Sequence, residues 1–276
     1  MAVEMLSYID RTSPVHQLTG VTKLLCFLIW SSAAMLTYDT RILVSLFLIS
    51  VGIFIISKIK LKEIAFVLIF ILLFLLINNI AIYVLSPQEG VKIYGTSHVL
   101  LEMAGRYNLT AEQIFYQFNV TIKYFTVIPA AILFIVTTNP SEFAASLNRI
   151  GVSYRISYSV ALALRYIPDI QRDFRNISLS QQARGIDMSR KEKLPKRIKN
   201  AASIIVPLIL SSLDKIEMIS NAMELRGFGK NKKRTWYRAR PFQLLDYLVL
   251  SGFILILLVT LFITFHDGNR FYNPFL

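Results

Sequence analysis

Long runs of apolar residues, separated by short polar breaks, dominate the chain. A helix needs about 20 apolar residues to cross the hydrocarbon of a bilayer, and roughly 17 at the short limit. The runs that meet or approach this length are Val21 to Leu36, Ile42 to Ser57, Ile64 to Leu85, Leu244 to Phe265 and the more mixed Ile114 to Val136. The pattern therefore predicts an all-α, polytopic helical membrane protein with about five transmembrane helices.

Residues 139–240 are too apolar for a solvated tail and too long for a connector. This segment opens with residues that favour a helix start. Asn139 can cap the first turn, Pro140 suits the first helical position, and Glu142 can reach back to the cap. Gly151 then ends the helix, so the pattern predicts a short first cytoplasmic helix.

Two longer amphipathic helices are predicted after it. Apolar positions recur every three or four residues along Arg155 to Arg184 and again along Pro195 to Arg226. Each helix has an apolar first half and a more polar second half, with Pro168 or Pro207 near the change. A proline inside a helix kinks it, so we predict a kink at each. The segment thus holds three cytoplasmic or membrane-surface helices.

Both long helices close on an Arg-Gly pair, in "QARG" and in "ELRG". A glycine after the last turn is an ordinary left-handed cap, and a cation there complements the helix dipole. Two copies at the ends of basic amphipathic helices favour a further interpretation. The arginine can fork onto carboxylates of a partner, while the glycine keeps the helix end narrow.

Charge gives the orientation. The chain has 276 residues, 54% of them hydrophobic, and a net charge of +13. Residues 139–240 hold 20 Lys/Arg and 8 Asp/Glu, which is +12 of that total. Because basic loops stay on the cytoplasmic side, we expect this segment, the basic loop at 57–63 and the amino terminus to lie on the cytoplasmic side of the cell membrane. The loop at 86–108 and the carboxyl terminus are then outside.

The spans and the basic segment divide the chain into three parts. Residues 1–138 hold four transmembrane helices with the outside loop 86–108, residues 139–240 form the helical module with its two Arg-Gly ends, and residues 241–276 hold the last span and a tail. Basic clusters at 189–199 and 230–240 are interpreted as contacts to anionic lipid heads. Nucleic acid is not indicated as a partner, because no recognised binding motif occurs.

Several motifs together resemble one family, the transmembrane T component of energy-coupling factor (ECF) transporters. "QARG" and "ELRG" resemble its paired signatures, and "YIDRTSPVHQLTGVTKLL" (Tyr8 to Leu25) resembles its Ser-Pro-x-His-x-Leu entry to the first span. "TTNPSEFAASL" is similar to the opening of its first cytoplasmic coupling helix, and "RYIPDI" and "IIVPLILSSLDK" also resemble the family. The resemblance covers most of the chain. Thr19-Gly20 stand where Asp-Pro is usual, and Leu225 stands where Ala is usual.

The resemblance implies a non-catalytic coupling subunit with two kinds of partner. Two cytoplasmic ABC ATPases, as a homodimer or a heterodimer, would bind ATP and Mg and each receive one helix end. The implied contact residues are Ala183, Arg184, Gly185, Leu225, Arg226 and Gly227. A small membrane-embedded S component would bind a vitamin or a transition metal. Its implied contacts are Ile205, Ile209, Leu213, Ile216 and Met223, for which packing against the protein's own helices stays an equal alternative.

The sequence shows no recognised pattern for nucleotide binding, metal binding or catalysis. "GFGKNKK" has neither the spacing nor the Ser/Thr of a Walker A motif, so we expect no nucleotide cofactor on this chain. His16, His98 and His266 are scattered, and metal-ligand spacing is missing. A membrane enzyme is disfavoured because no acid, base or metal residues converge. A basic membrane scaffold or sensor without transport coupling is the alternative that remains.

Overall fold

The computed structural model describes residues 11, 13–102, 107–186, 194–231, 235–236, 240–266 and 270–275. Part of the entry motif and about half of the residues in the two basic clusters lie outside this described part. The chain divides into two compact units, one of Met1–Glu142 with Arg240–Leu276 and the other of Phe143–Ala239. We call them the spanning unit and the coupling unit.

The described residues form ten helices and one small hairpin. They are α1 Pro14–Gln17, α2 Gly20–Leu36, α3 Thr40–Ile56, α4 Leu61–Leu85, α5 Glu89–Tyr94, β1 Val99–Leu101, β2 Leu109–Thr110, α6 Ala111–Thr137, α7 Pro140–Arg149, α8 Tyr154–Ala183, α9 Leu194–Leu225 and α10 Leu244–His266. The all-α fold class is confirmed.

All five predicted spans are helices. Three of them, α4, α6 and α10, are long and apolar enough to cross a membrane, with mean hydropathies of 2.8, 1.9 and 2.8. The other two, α2 and α3, have 17 residues each, which is about the shortest length that spans the hydrocarbon. Length and composition thus agree with a multi-pass membrane protein.

Three side-chain donors join α2 to α6 along their antiparallel length. Lys23 Nζ donates to Thr137 O at the end of α6 (2.7 Å), and Lys123 Nζ donates to Met35 O near the end of α2 (3.0 Å). Between them, Trp30 Nε1 donates to Thr126 O (3.1 Å). The last carbonyls of a helix have no partner within it, so each lysine satisfies an end of the other's helix.

A proline inside α6 lies beside the central one of these contacts. Pro129 has no N–H to donate to the preceding turn, and its ring disturbs the carbonyls there. Thr126 O in that turn accepts a second hydrogen bond, from Ser50 Oγ of α3 at 3.2 Å. Side chains from α2 and α3 therefore meet on the turn of α6 that precedes its proline.

The entry motif fastens α1 and α2 to α10. Asp246 accepts from Thr19 N and from Gln243 N, both at 2.9 Å, so one carboxylate caps the start of α10 and holds the turn before α2. Thr19 also caps α2, because its side chain accepts from Thr22 N. His16 is buried and its Nδ1 lies 2.7 Å from Ser13 Oγ. The entry motif thus has a structural role, because it holds the start of α2 against the start of α10.

The stretch predicted as an outside loop is folded. It holds α5, which ends at Gly95 in the left-handed conformation (φ +72°), and the antiparallel hairpin in which Val99 pairs with Thr110. The carboxyl-terminal tail lies in the same unit: Arg270 Nε donates to Leu36 O (2.7 Å) and Asn273 Nδ2 donates to Tyr94 O (3.0 Å). Elements this short carry too little periodicity to be predicted from sequence.

The coupling unit follows the sequence prediction closely. Asn139 caps α7 by accepting from Ser141 N at 3.0 Å, and Gly151 ends the turn after it with φ +106°. Helices α8 and α9 begin and end within one residue of their predicted bounds. They run antiparallel, because Lys215 of α9 forms an ion pair with Asp173 of α8, and Gln181 near the end of α8 donates to Ser203 O.

We expect Lys23→Met to lower the free energy of unfolding by about 1–3 kcal/mol, because it removes the lysine donor from the buried Thr137 carbonyl at the end of α6. We expect a smaller loss from Lys123→Met, because Met35 O also accepts from Arg270 Nη2. Unfolding of the detergent-solubilised chain by heat or denaturant measures this loss. Lys92→Met is the matched control, since the Lys92 side chain is 69% exposed. Equal stability of all three variants would contradict a structural role for the two buried lysines.

We expect Gly90→Ala to displace α5 from the start of α6. A Cβ at Gly90 would lie 2.4 Å from the backbone carbon and oxygen of Glu112, where real Cβ atoms do not fit. Such overpacking costs about 1–3 kcal/mol. Gly52→Ala is the control, because a Cβ there meets nothing within 4 Å and the backbone needs no glycine. Equal melting temperatures of the two variants would contradict this close approach.

Candidate functional site

The two Arg-Gly pairs end their helices with the same backbone geometry. After α8, Gly185 has φ +85°, its N–H donates to Gln182 O (2.9 Å), and Ile186 N donates to Gln181 O (3.0 Å). After α9, Gly227 has φ +66° and donates to Glu224 O (2.8 Å), while Phe228 N donates to Met223 O (2.9 Å). Both are Schellman caps, in which glycine avoids the strain of a left-handed residue.

These caps present their side chains to the surroundings. Ala183, Arg184 and Gly185 are exposed, as are Leu225 and Arg226, while Gly227 is half-buried. The Leu225 side chain is 90% exposed. We call Ala183–Gly185 the first Arg-Gly end and Leu225–Gly227 the second Arg-Gly end. Each combines a cation, a narrow turn and a small or apolar neighbour.

The two Arg-Gly ends lie at opposite ends of the antiparallel helix pair. Gln181 contacts Ser203, so the first end is near the start of α9, whereas the second end closes α9. At about 1.5 Å per helical residue, Ser203 and Arg226 are roughly 35 Å apart. One small socket cannot receive both ends, so the arrangement suits two separate partner surfaces.

An aromatic cluster at the second Arg-Gly end was not predicted from the sequence. Phe228, directly after the cap, packs on Tyr158 (4.9 Å between ring centroids) and Tyr154 (5.8 Å) of α8. Trp236 packs on the same rings, at 5.5 Å from Tyr154 and 6.3 Å from Tyr158. We call these four residues the aromatic clamp. Their separation in sequence, from 154 to 236, gave no local pattern to read.

The predicted S-component contacts fall into two groups. Ile205, Ile209, Leu213 and Ile216 are exposed and lie on one stripe of α9, within about 80° around its axis; we call them the open stripe. Met223 continues the stripe but is half-buried, and it lines a groove of about 470 Å³ with Tyr166 and Phe228. Ile216 also lines this groove although its side chain is exposed, so the alternative of internal packing describes Met223 best and Ile205, Ile209 and Leu213 least.

The predicted kink positions lie well inside their helices. Pro168 is within α8 and Pro207 within α9, and helical structure continues through both. The kinks themselves stay predictions. Because proline has no N–H, the carbonyl four residues earlier loses its helical donor, and the carbonyl of Ser203, four residues before Pro207, accepts from Gln181 Nε2 instead.

The spanning unit holds a cavity of about 240 Å³ bounded by α1, α2, α3, α6 and α10. Its lining is apolar apart from a few residues, of which Lys23 and Ser50 already hydrogen-bond to backbone carbonyls. Within the described ranges, no three His, Cys, Asp or Glu side chains lie close enough to hold a metal ion. The geometry therefore points to the Arg-Gly ends and the open stripe as the candidate site.

Comparisons with known proteins agree on one family. The family model for CbiQ, the cobalt transport protein, matches residues 11–237. The chain is 28% identical to the energy-coupling factor transporter transmembrane protein EcfT of Bacillus selenitireducens over 256 residues, which are 90% of this chain and 92% of the relative. It is 26% identical to that of Staphylococcus aureus (71% and 72%) and 23% identical to that of Bacillus subtilis (84% and 86%).

Proposed function

Because the chain belongs to the CbiQ family of cobalt transport proteins, we propose that it is the coupling subunit of an ECF-type importer. The match confirms the resemblance inferred from the motifs, and the chain is a transmembrane transport component of this type. In the proposed mechanism it transmits the ATP-driven movement of two cytoplasmic ATPases to a small membrane protein that binds the substrate. ATP and Mg belong to the partner ATPases.

The observation that carries this proposal is that α8 and α9 end in equivalent caps. Because the two helices run antiparallel, these caps lie at opposite ends of the helix pair. In the proposed complex, Arg184 enters one ATPase and Arg226 enters the other, each forking onto carboxylates of its socket. Because the two ends share one rigid helix pair, closure of the ATPases changes the orientation of that pair. This proposal places the amino terminus and the coupling unit in the cytoplasm.

The open stripe supports the proposed contact with the second partner, the S component. Four large aliphatic side chains exposed along one helix stripe form an apolar surface of the kind that marks a contact with a protein or a membrane. We assign this stripe to the membrane-embedded S component, whose movement would release a vitamin or transition metal inward. Specificity for the substrate then belongs to the S component, and the coupling subunit needs only an apolar surface that tolerates repacking.

We expect Arg184→Ala with Arg226→Ala to abolish uptake and to release the ATPases, because both charged contacts are removed. A mild-detergent pull-down of the tagged chain, read by mass spectrometry, measures the loss. Arg165→Ala with Arg175→Ala is the matched control: it removes the same charge from exposed positions in the interior of α8. The control variant keeps its ATPases and its uptake.

Uptake at the normal rate by the Arg184→Ala/Arg226→Ala variant, made at normal levels, would contradict the coupling function. Recovery of the native chain with no ATPase at all would favour the alternative of a basic membrane scaffold or sensor. In that case the Arg-Gly pairs would be ordinary helix caps.

We expect Ile209→Asp with Leu213→Asp to remove the S component from the purified complex while the ATPases remain. Two charges on the open stripe make an apolar interface unfavourable by several kcal/mol. Met218→Asp is the control, since Met218 is also exposed but lies on the opposite face of α9. Loss of the S component from the control, or its retention by the stripe variant, would contradict this assignment.

A further inference from the structure

The segment that follows the second Arg-Gly end contacts the start of α8. Phe228 and Trp236 are eight positions apart, yet both rings contact Tyr154 and Tyr158. The segment after the second end is thus pinned to α8 at two points.

Hydrogen bonds extend this attachment to the corner between α7 and α8. Trp236 Nε1 donates to Asn148 Oδ1 at 3.1 Å, and Asn148 Nδ2 donates to Val152 O at 2.9 Å across that corner. Arg155 Nη2 donates to Gly229 O at 3.3 Å, two residues beyond the cap glycine. The second Arg-Gly end is therefore tied by rings and by hydrogen bonds to α7, to the corner and to α8.

We propose that Trp236 and Phe228 are positioning residues that fix the second Arg-Gly end for its ATPase, and that this end moves with α8 and the α7–α8 corner as one body. The inference rests on the proposed function, because it needs a partner at Arg226. A glycine-capped end without such attachment would sample several orientations, and ordering it on binding would cost affinity. The aromatic clamp supplies that order in advance.

The arrangement also explains how one helix end can move more than one helix. A displacement applied at Arg226 reaches Phe228 within two residues, and Phe228 is in contact with α8. Trp236 passes the same displacement to Asn148 at the end of α7. The clamp adds this route to the contacts that α9 already makes with α8, such as the Lys215–Asp173 ion pair.

The first test is a mutant cycle on ATPase affinity. Fluorescently labelled ATPases, recovered by the pull-down, are titrated against the full chain in nanodiscs. We expect Trp236→Ala to weaken binding about tenfold in the native background and in the Arg184→Ala background, since lost ring packing is worth that factor. In the Arg226→Ala background we expect almost no further loss, because the clamp acts through that arginine. Trp236→Phe, which keeps a ring, restores most of the affinity.

The outcomes separate this inference from the function on which it rests. If Arg226→Ala itself leaves the affinity unchanged, the proposed function fails. If Arg226→Ala weakens binding and Trp236→Ala does not, only the clamp proposal fails. An equal loss from Trp236→Ala in all three backgrounds would also overturn it, because the tryptophan would then act on the fold in general.

A second measurement needs no partner. Spin labels at the exposed positions Ser159 and Lys230, in a Cys26→Ala background that removes the chain's single cysteine, report the distance between α8 and the segment after the second end. We expect one narrow distance distribution that Phe228→Ala and Trp236→Ala each broaden. Phe66→Ala, which removes an exposed ring from α4, leaves it narrow. A distribution unchanged by both clamp variants would overturn the proposal.

Discussion

Backbone carbonyls that cannot be left unpaired in hydrocarbon determine how the spanning unit is built. Lys23 and Lys123 satisfy each other's helix ends, and Trp30 and Ser50 converge on Thr126 O in the turn before Pro129. A charged residue inside a span usually suggests a transport pathway. Here the two lysines are used to hold α2 against α6, so the spanning unit is a stable frame and the candidate site lies in the other unit.

The coupling unit differs from the spanning unit in how much apolar surface its helices leave exposed. Its helices α8 and α9 bury little of their apolar surface against each other and expose the open stripe, so they are suited to take up partners. What makes the unit specific is the geometry of its helix ends: equal Schellman caps, a cation beside each glycine, and separation along one helix pair. In the proposed complex, the aromatic clamp joins the second end to α8 and to the end of α7.

Helix periodicity was sufficient to predict most of the fold. The five apolar runs, the capped start at Asn139 and the two amphipathic helices all gave local signals, and the structure has helices at those places. The Arg-Gly ends could also be predicted, since a helix cap is formed by residues that are close in sequence. Contacts between residues far apart in sequence could not be predicted. Nothing near Trp236 points to Tyr154, and nothing near Lys123 points to Met35, because such pairs are defined only when the chain has folded. The folded loop with α5 and β1–β2 was missed because its elements are too short for periodicity.

The central claim is that each Arg-Gly end contacts its own ATPase. Photocross-linking tests it most directly, with a benzoylphenylalanine placed at Ala183, at Leu225, or at both in the intact membrane complex. The account predicts that each single position cross-links to one ATPase and that the double variant forms an adduct of one coupling subunit with two ATPases. Adducts that contain only one ATPase in the double variant, or adducts with lipid alone, would contradict it.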